Sequence, residues 1–260
     1  MTPSKHRFFS ATTTLFTALC ISLSVQAKTI EQSFDTDSGD TLYVRTDAGS
    51  IHIDTHNKDQ ILVSVSIDGE DENFEVEFDE HNEGLKIRGK RESGWGWNNR
   101  LRVRFDITVP TQYELDLDTS GGKIEISDIT GNIEARTSGG SIDVGSVIGD
   151  VELDTSGGSI KTAAIEGEIN AHTSGGSIEV VFAKQPTKDA SLHTSGGSIR
   201  ASFPSDIAID IDASTSGGRV HSDFTVDGKV KKQSIRGAIN GGGPKVALHT
   251  SGGSIRIIED

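Results

Sequence analysis

The sequence predicts an all-β chain, a β-solenoid with coils of about 18 residues behind an irregular β-rich N-terminal region. Three observations carry this. Thr-Ser-Gly-Gly occurs seven times, starting at Thr119, Thr137, Thr155, Thr173, Thr194, Thr215 and Thr250, with the first four copies 18 residues apart. Inside that spacing Gly-x-Ile/Val recurs every nine residues, from Gly122-Lys-Ile124 to Gly176-Ser-Ile178. No segment keeps a helical period. A fixed short repeat cannot bury its apolar face alone, so each unit must stack on the next.

In chain order, residues 1–27 read as a secretory signal peptide. Lys5 and Arg7 are its positive start, an uncharged and mainly apolar stretch follows, and a cut falls between Ala27 and Lys28. The apolar stretch is shorter than the roughly 20 residues of a membrane span, and no later segment supplies one, so no transmembrane anchor is expected. Leu19 before Cys20, the only cysteine, does not fit a lipoprotein signal, which needs a small residue there. An exported chain without disulfides must rely on backbone pairing and packing. The formal charge of −14 argues against nucleic acid as a partner and against general attraction to anionic membrane.

Residues 28–112 read as a β-rich capping region. Leu42, Val44 and Thr46 alternate with polar neighbours, as do Ile51 and Ile53, and a further β-rich run spans 62–67. A three-strand meander is predicted next, with Phe74, Val76 and Phe78, then Leu85 and Ile87, then Leu101, Val103, Phe105 and Ile107 inward. Residues 92–99 tip its second hairpin, and Pro110 ends the last strand.

Residues 113–260 read as the Thr-Ser-Gly-Gly repeat solenoid. Alternation places Val151, Leu153 and Thr155 inside and Glu152 and Asp154 outside. Each coil is two short strands and two turns, Thr-Ser-Gly-Gly and an Ile-x-Gly corner such as Ile129 to Gly131. Glycine is expected there for sharp reversal through positive φ, and the Thr hydroxyls are expected to satisfy one another in an inward ladder. Two intervals of 21 residues and one of 35 hold the insertions, the last with Lys229 to Gln233 and Gly241 to Pro244. The closing Glu259-Asp260 pair is read as a charge that discourages end-to-end stacking.

The Gly-Ser-Ile-x-Ile unit at Gly49 to Ile53, the Thr-Val-Pro junction at Thr108 to Pro110, the serial Thr-Ser-Gly-Gly-Ser-Ile copies and the Gly-Gly-Gly-Pro-x-Val ending form one pattern. With its exported start, the chain resembles the bacterial putative-adhesin family of β-strand-repeat proteins, a domain of unknown function. The resemblance implies a β-solenoid envelope protein. It supplies no catalytic residue and no ligand, and a fold does not settle a function.

The glycines form no phosphate-binding loop, and Ser-Ile stands where calcium β-rolls carry Asp. Asp154, His172 and His193 share one outward column, the candidate metal-ligating row. Ligands in a straight row suit tetrahedral zinc poorly, so no metal and no cofactor are expected. Carboxylates fall on outward ladder positions, and no Ser–His–Asp grouping stands out. The candidate ligand site is elsewhere. Lys86, Arg88 and Lys90 with Arg100, Arg102 and Arg104 are predicted to form one basic face on neighbouring strands. The loop between them carries Trp95 and Trp97, whose rings would stack on sugars while Arg pairs with carboxylate or phosphate. Against this, Glu75, Glu77 and Asp79 could neutralise the nearer row, and the Trp pair could cap the core. The sequence thus points to a non-enzymatic exported solenoid, periplasmic or secreted to the cell surface. It would present a surface to anionic envelope glycan or to a surface protein. The alternatives are an envelope-glycan-acting enzyme and a purely structural periplasmic protein.

Overall fold

A computed structural model describes residues 28–69, 74–81, 83–91 and 101–260. Among these there is no helix, and strands build two facing sheets. Sheet I, with 13 strands, and sheet II, with 12, each contain nine parallel coil strands along their main path, and sheet I adds the short parallel strands Ile129–Thr130 and Val147–Ile148. A coil enters on sheet II, turns a first corner at Thr-Ser-Gly-Gly, crosses to sheet I, and returns by a second corner. Glu114–Thr119 and Ile124–Ile126 are one such pair.

Register is strict. Ile51, Ile124, Ile142, Ile160, Ile178, Ile199 and Ile255 stack as one buried column on sheet I. Fully burying each such side chain contributes roughly 1.5–3 kcal/mol, so the regular column makes a thin core sufficient. A slip of one residue would turn that column to water.

Stacking order differs from chain order at both ends. Strands Thr41–Thr46 and Ser50–His56 form a coil lying between coil 84–110 and coil 114–126. At the far end, Lys245–Thr250 and Ile255–Glu259 lie between coil 190–203 and coil 209–222. Repeat stacking therefore extends into the β-rich region before residue 113, through Thr46 beside Thr119. The irregular part of that region is antiparallel. Gln60–Asp68 and Lys28–Asp35 prolong sheet I, and Phe74–His81 prolongs sheet II. Phe34 and Phe78, ring centroids 5.5 Å apart, meet across the gap between the sheets.

Two expectations change here. The predicted meander is a hairpin only as far as Gly84–Arg91, because Arg102–Pro110 crosses to the opposite sheet. Crossing lets Phe105 join the isoleucine column beside Ile51. The closing Glu259 and Asp260 belong to an interposed coil, so they do not guard the end of the stack.

The corners also differ from expectation. Gly158 lacks a left-handed φ, yet a Cβ there would sit 2.0 Å from the Gly140 carbonyl oxygen. At Gly158 close approach of stacked coils, rather than positive φ, demands glycine, whereas Gly122 in the first copy does take a φ of +141°. At the second corner Gly131 does take a left-handed φ of +147°. The Thr hydroxyls do not bond one another. Thr155 Oγ1 donates to the Gly140 carbonyl at 2.7 Å and accepts from the Gly158 N–H at 3.3 Å. The same link joins Thr250 to Gly197 and Thr215 to Gly253, so it follows the stacking order.

Candidate functional site

The outward side chains of sheet II stand in columns one rung, about 4.8 Å, apart. Because the repeat is 18 residues long, like falls on like. Glu114, Asp116, Glu134, Asp150, Glu152 and Glu168 line an acidic hollow of about 420 Å³. Part of that charge is structural. Asp150 Oδ1 accepts the Glu168 N–H at 3.0 Å, and its other oxygen meets Lys188 Nζ at 2.6 Å. Lys188 and that backbone bond hold the Asp150 carboxyl below its ordinary range. This hollow was not predicted as a site, though the spacing of its acids is plain in the repeat.

The metal-candidate residues are brought together. Asp154, His172 and His193 occupy successive rungs in register. Interposition of the last coil adds His249, not Ser214, as the next rung. The His172 and His193 rings lie 5.1 Å apart at 9°, stacked face to face. Ser214 Oγ and His249 Nδ1 are 2.8 Å apart. Parallel rings do not converge their nitrogens, and among the described residues no group of three His, Cys, Asp or Glu is placed to hold a metal. Burial lowers the His193 pKa, and the neighbouring His172 and His249 lower it further.

The basic ligand face is divided. Arg88 lies on sheet II, in a hollow of about 360 Å³ with Arg45, Lys90, Asp47, Asp118 and Ser120. Arg102 and Arg104 lie on sheet I, the opposite outer face, where Arg104 Nε meets Asp106 at 2.7 Å. They cannot form one surface with Arg88. Trp95, Trp97 and Arg100 lie outside the described residues, as do the leader residues up to Ala27; the first described strand starts at Lys28. What the sequence did not show is Arg45. It neighbours Arg88 on the adjacent rung and meets Asp116 at 2.6 Å, which raises its pKa further. Lys90 is 3.5 Å from Glu77, so the predicted neutralisation of this row is present in part. Among the described residues no helix is long and apolar enough to cross a membrane.

Residues 144–258 match the family model described as Toastrack DUF4097. No curated protein sequence matches the chain. Among solved structures, a putative adhesin from Bacteroides fragilis is similar over 90% of this chain and 99% of its own, with 14% identity and a TM-score of 0.44. A putative cell adhesion protein from Clostridium sporogenes matches at 12% identity and a TM-score of 0.39, over 90% of this chain and 100% of its own. A putative lipid binding protein from Parabacteroides distasonis matches at 14% and 0.34, over 89% and 97%.

Proposed function

We propose that the chain, which matches the Toastrack family model over residues 144–258, is a non-enzymatic, exported β-solenoid that displays its outer faces to partners at the cell envelope or cell surface. The observation that supports this reading is the organisation of the outer faces. Both sheets carry long in-register rows of charged and polar side chains, and the hollows lined by Glu134 and by Arg88 open on the outer face of sheet II. Such a surface offers many shallow contacts at a fixed spacing rather than one enclosed reacting centre.

The contact for an anionic envelope polymer is the Arg45–Arg88–Lys90 hollow, and Trp95 and Trp97 follow Lys90 in the sequence. Arg pairs carboxylate or phosphate with two parallel donors, and screening over about 8 Å at physiological salt lets a local cation cluster act despite the negative whole. Retention of the purified protein on such a polymer should fall in Arg88→Ala and in Trp95→Ala/Trp97→Ala, and should weaken with salt. Unchanged retention in a folded Arg88→Ala variant would remove the polymer from this reading. Release of cleavage fragments when intact cells are treated with protease, compared with lysed cells, would place the protein at the surface or inside it.

A further inference from the structure

The two ends of the stack carry opposite charge on the free edges of the same sheet. At one end, strand Asp227–Lys231 is the outermost strand of sheet II and is exposed along its whole length. Lys229, Lys231 and the following Lys232 are exposed and make no ion pair among the described residues. At the other end, the outermost strand of sheet II is Phe74–His81, with Glu75, Glu77, Asp79 and Glu80 along it. An edge strand leaves a row of unpaired backbone donors and acceptors, which charge of one sign protects against a like edge. Here the signs differ, so each edge repels its own kind and attracts the other.

Strand direction agrees with that pairing. Asp227–Lys231 runs parallel to the coil strands, being antiparallel to Ser234–Ile239, which is antiparallel to Ile209–Thr215. Phe74–His81 runs against its neighbouring coil strand. A second copy translated along the stack therefore sets these two edges antiparallel, with Lys229 and Lys231 on the outer face shared by Glu75, Glu77 and Asp79. The ends are stepped. Beyond the last coil, sheet II projects by two strands while sheet I stops at Val220–Ser222; at the opposite end sheet I projects by two strands and sheet II by one. When the two sheet II edges pair, three strands separate the terminal coils on sheet II and two on sheet I.

We propose that copies of this chain associate head to tail by antiparallel pairing of the Lys229–Lys232 edge with the Glu75–Glu80 edge. Such a contact uses two different patches and so builds open rows rather than closed dimers. Sedimentation of the purified protein tests this. At about 0.02 M salt the mean mass should at least double as concentration rises, and at about 1 M salt, where screening acts within about 3 Å, it should return to the monomer. Lys229→Glu/Lys231→Glu/Lys232→Glu should stay monomeric alone. Added to the wild type it should shorten the assemblies, because its acidic edge still accepts a wild-type partner. The reciprocal Glu75→Gln/Glu77→Gln/Asp79→Asn variant should behave the same way from the opposite end. A wild type that stays monomeric throughout at low salt overturns the proposal, as does a lysine variant that associates normally or leaves wild-type assemblies unshortened.

Discussion

At the first corner, a side chain on Gly158 would strike the Gly140 carbonyl, and Thr-Ser-Gly-Gly holds its length wherever a coil lies on both sides. The second corner behaves differently. In the 18-residue coils Gly131 turns it through a left-handed φ, but between Phe182 and Ala190, and between Phe203 and Ile209, longer segments without glycine make the same reversal. Gly131 also lies against its neighbour, since a Cβ there would fall 2.0 Å from the Tyr113 carbonyl oxygen, so what separates the corners is that longer segments are accommodated at the second. Coil 84–110 is consistent with this. It has a coil on one side only, Gly89 stands in the Thr column, and the strands flanking its first corner, Gly84–Arg91 and Arg102–Pro110, lie further apart in sequence than those of the regular coils.

The comparison breaks most visibly by insertion. Adding Gly-Ser-Gly between Ser138 and Gly139 should abolish cooperative unfolding at ordinary temperature, while the same insertion between Lys184 and Gln185 should leave the melting curve nearly unchanged. Equal damage from the two would refute the distinction. A smaller version is Gly158→Val, expected to cost roughly 3 kcal/mol or more in denaturant unfolding because the coils must part. Glu152→Ala, an exposed partner of Arg136, should stay within about 0.5 kcal/mol.

Thr155→Val keeps the shape but leaves the Gly140 carbonyl and the Gly158 N–H without their shared partner. A loss of about 1–3 kcal/mol is expected, and a neutral result would show that the turn satisfies itself.

The histidine row sharpens the picture through pH. In the folded chain the His193 pKa is held below its ordinary value, so the unfolded chain takes up the proton first. Stability should be full above the unfolded imidazole value of about 6.5 and decline as pH falls below it toward the folded value. Glu125 and Asp150, whose pKa values are depressed, remain charged in this window and do not contribute to the decline. Melting temperatures between about pH 7.5 and 5 should fall less in His193→Gln, and an equal fall would assign the effect elsewhere. The smallest effect concerns metal. Unfolding with and without a chelator should coincide, and a chelator-dependent drop of several degrees would mean the His172–His193–His249 row binds an ion.

Most of the fold was readable because the repeat is strict. Val151, Leu153 and Thr155 face inward as alternation requires, and the two strands per coil follow from the nine-residue beat. The reading stopped where stacking departs from chain order. Nothing in the local pattern tells whether Gly84-Leu-Lys-Ile87 pairs with the next strand or with Thr41–Thr46, since both satisfy the same alternation. That ambiguity put Arg88 and Arg102 on one imagined face. It also hid the three consecutive imidazoles, because His249 reaches His193 only when the final coil enters between two earlier ones. The glycine role at Gly158 was assigned to backbone freedom because close approach between coils has no signature in a single strand.

The interposed final coil also constrains the order of assembly. Thr250 donates to the Gly197 carbonyl and Thr215 to the Gly253 carbonyl, so coil 209–222 meets its docking surface only once residues 245–259 are seated. The coil at 245–259 is a keystone: its neighbour comes earlier in the chain yet has no template without it.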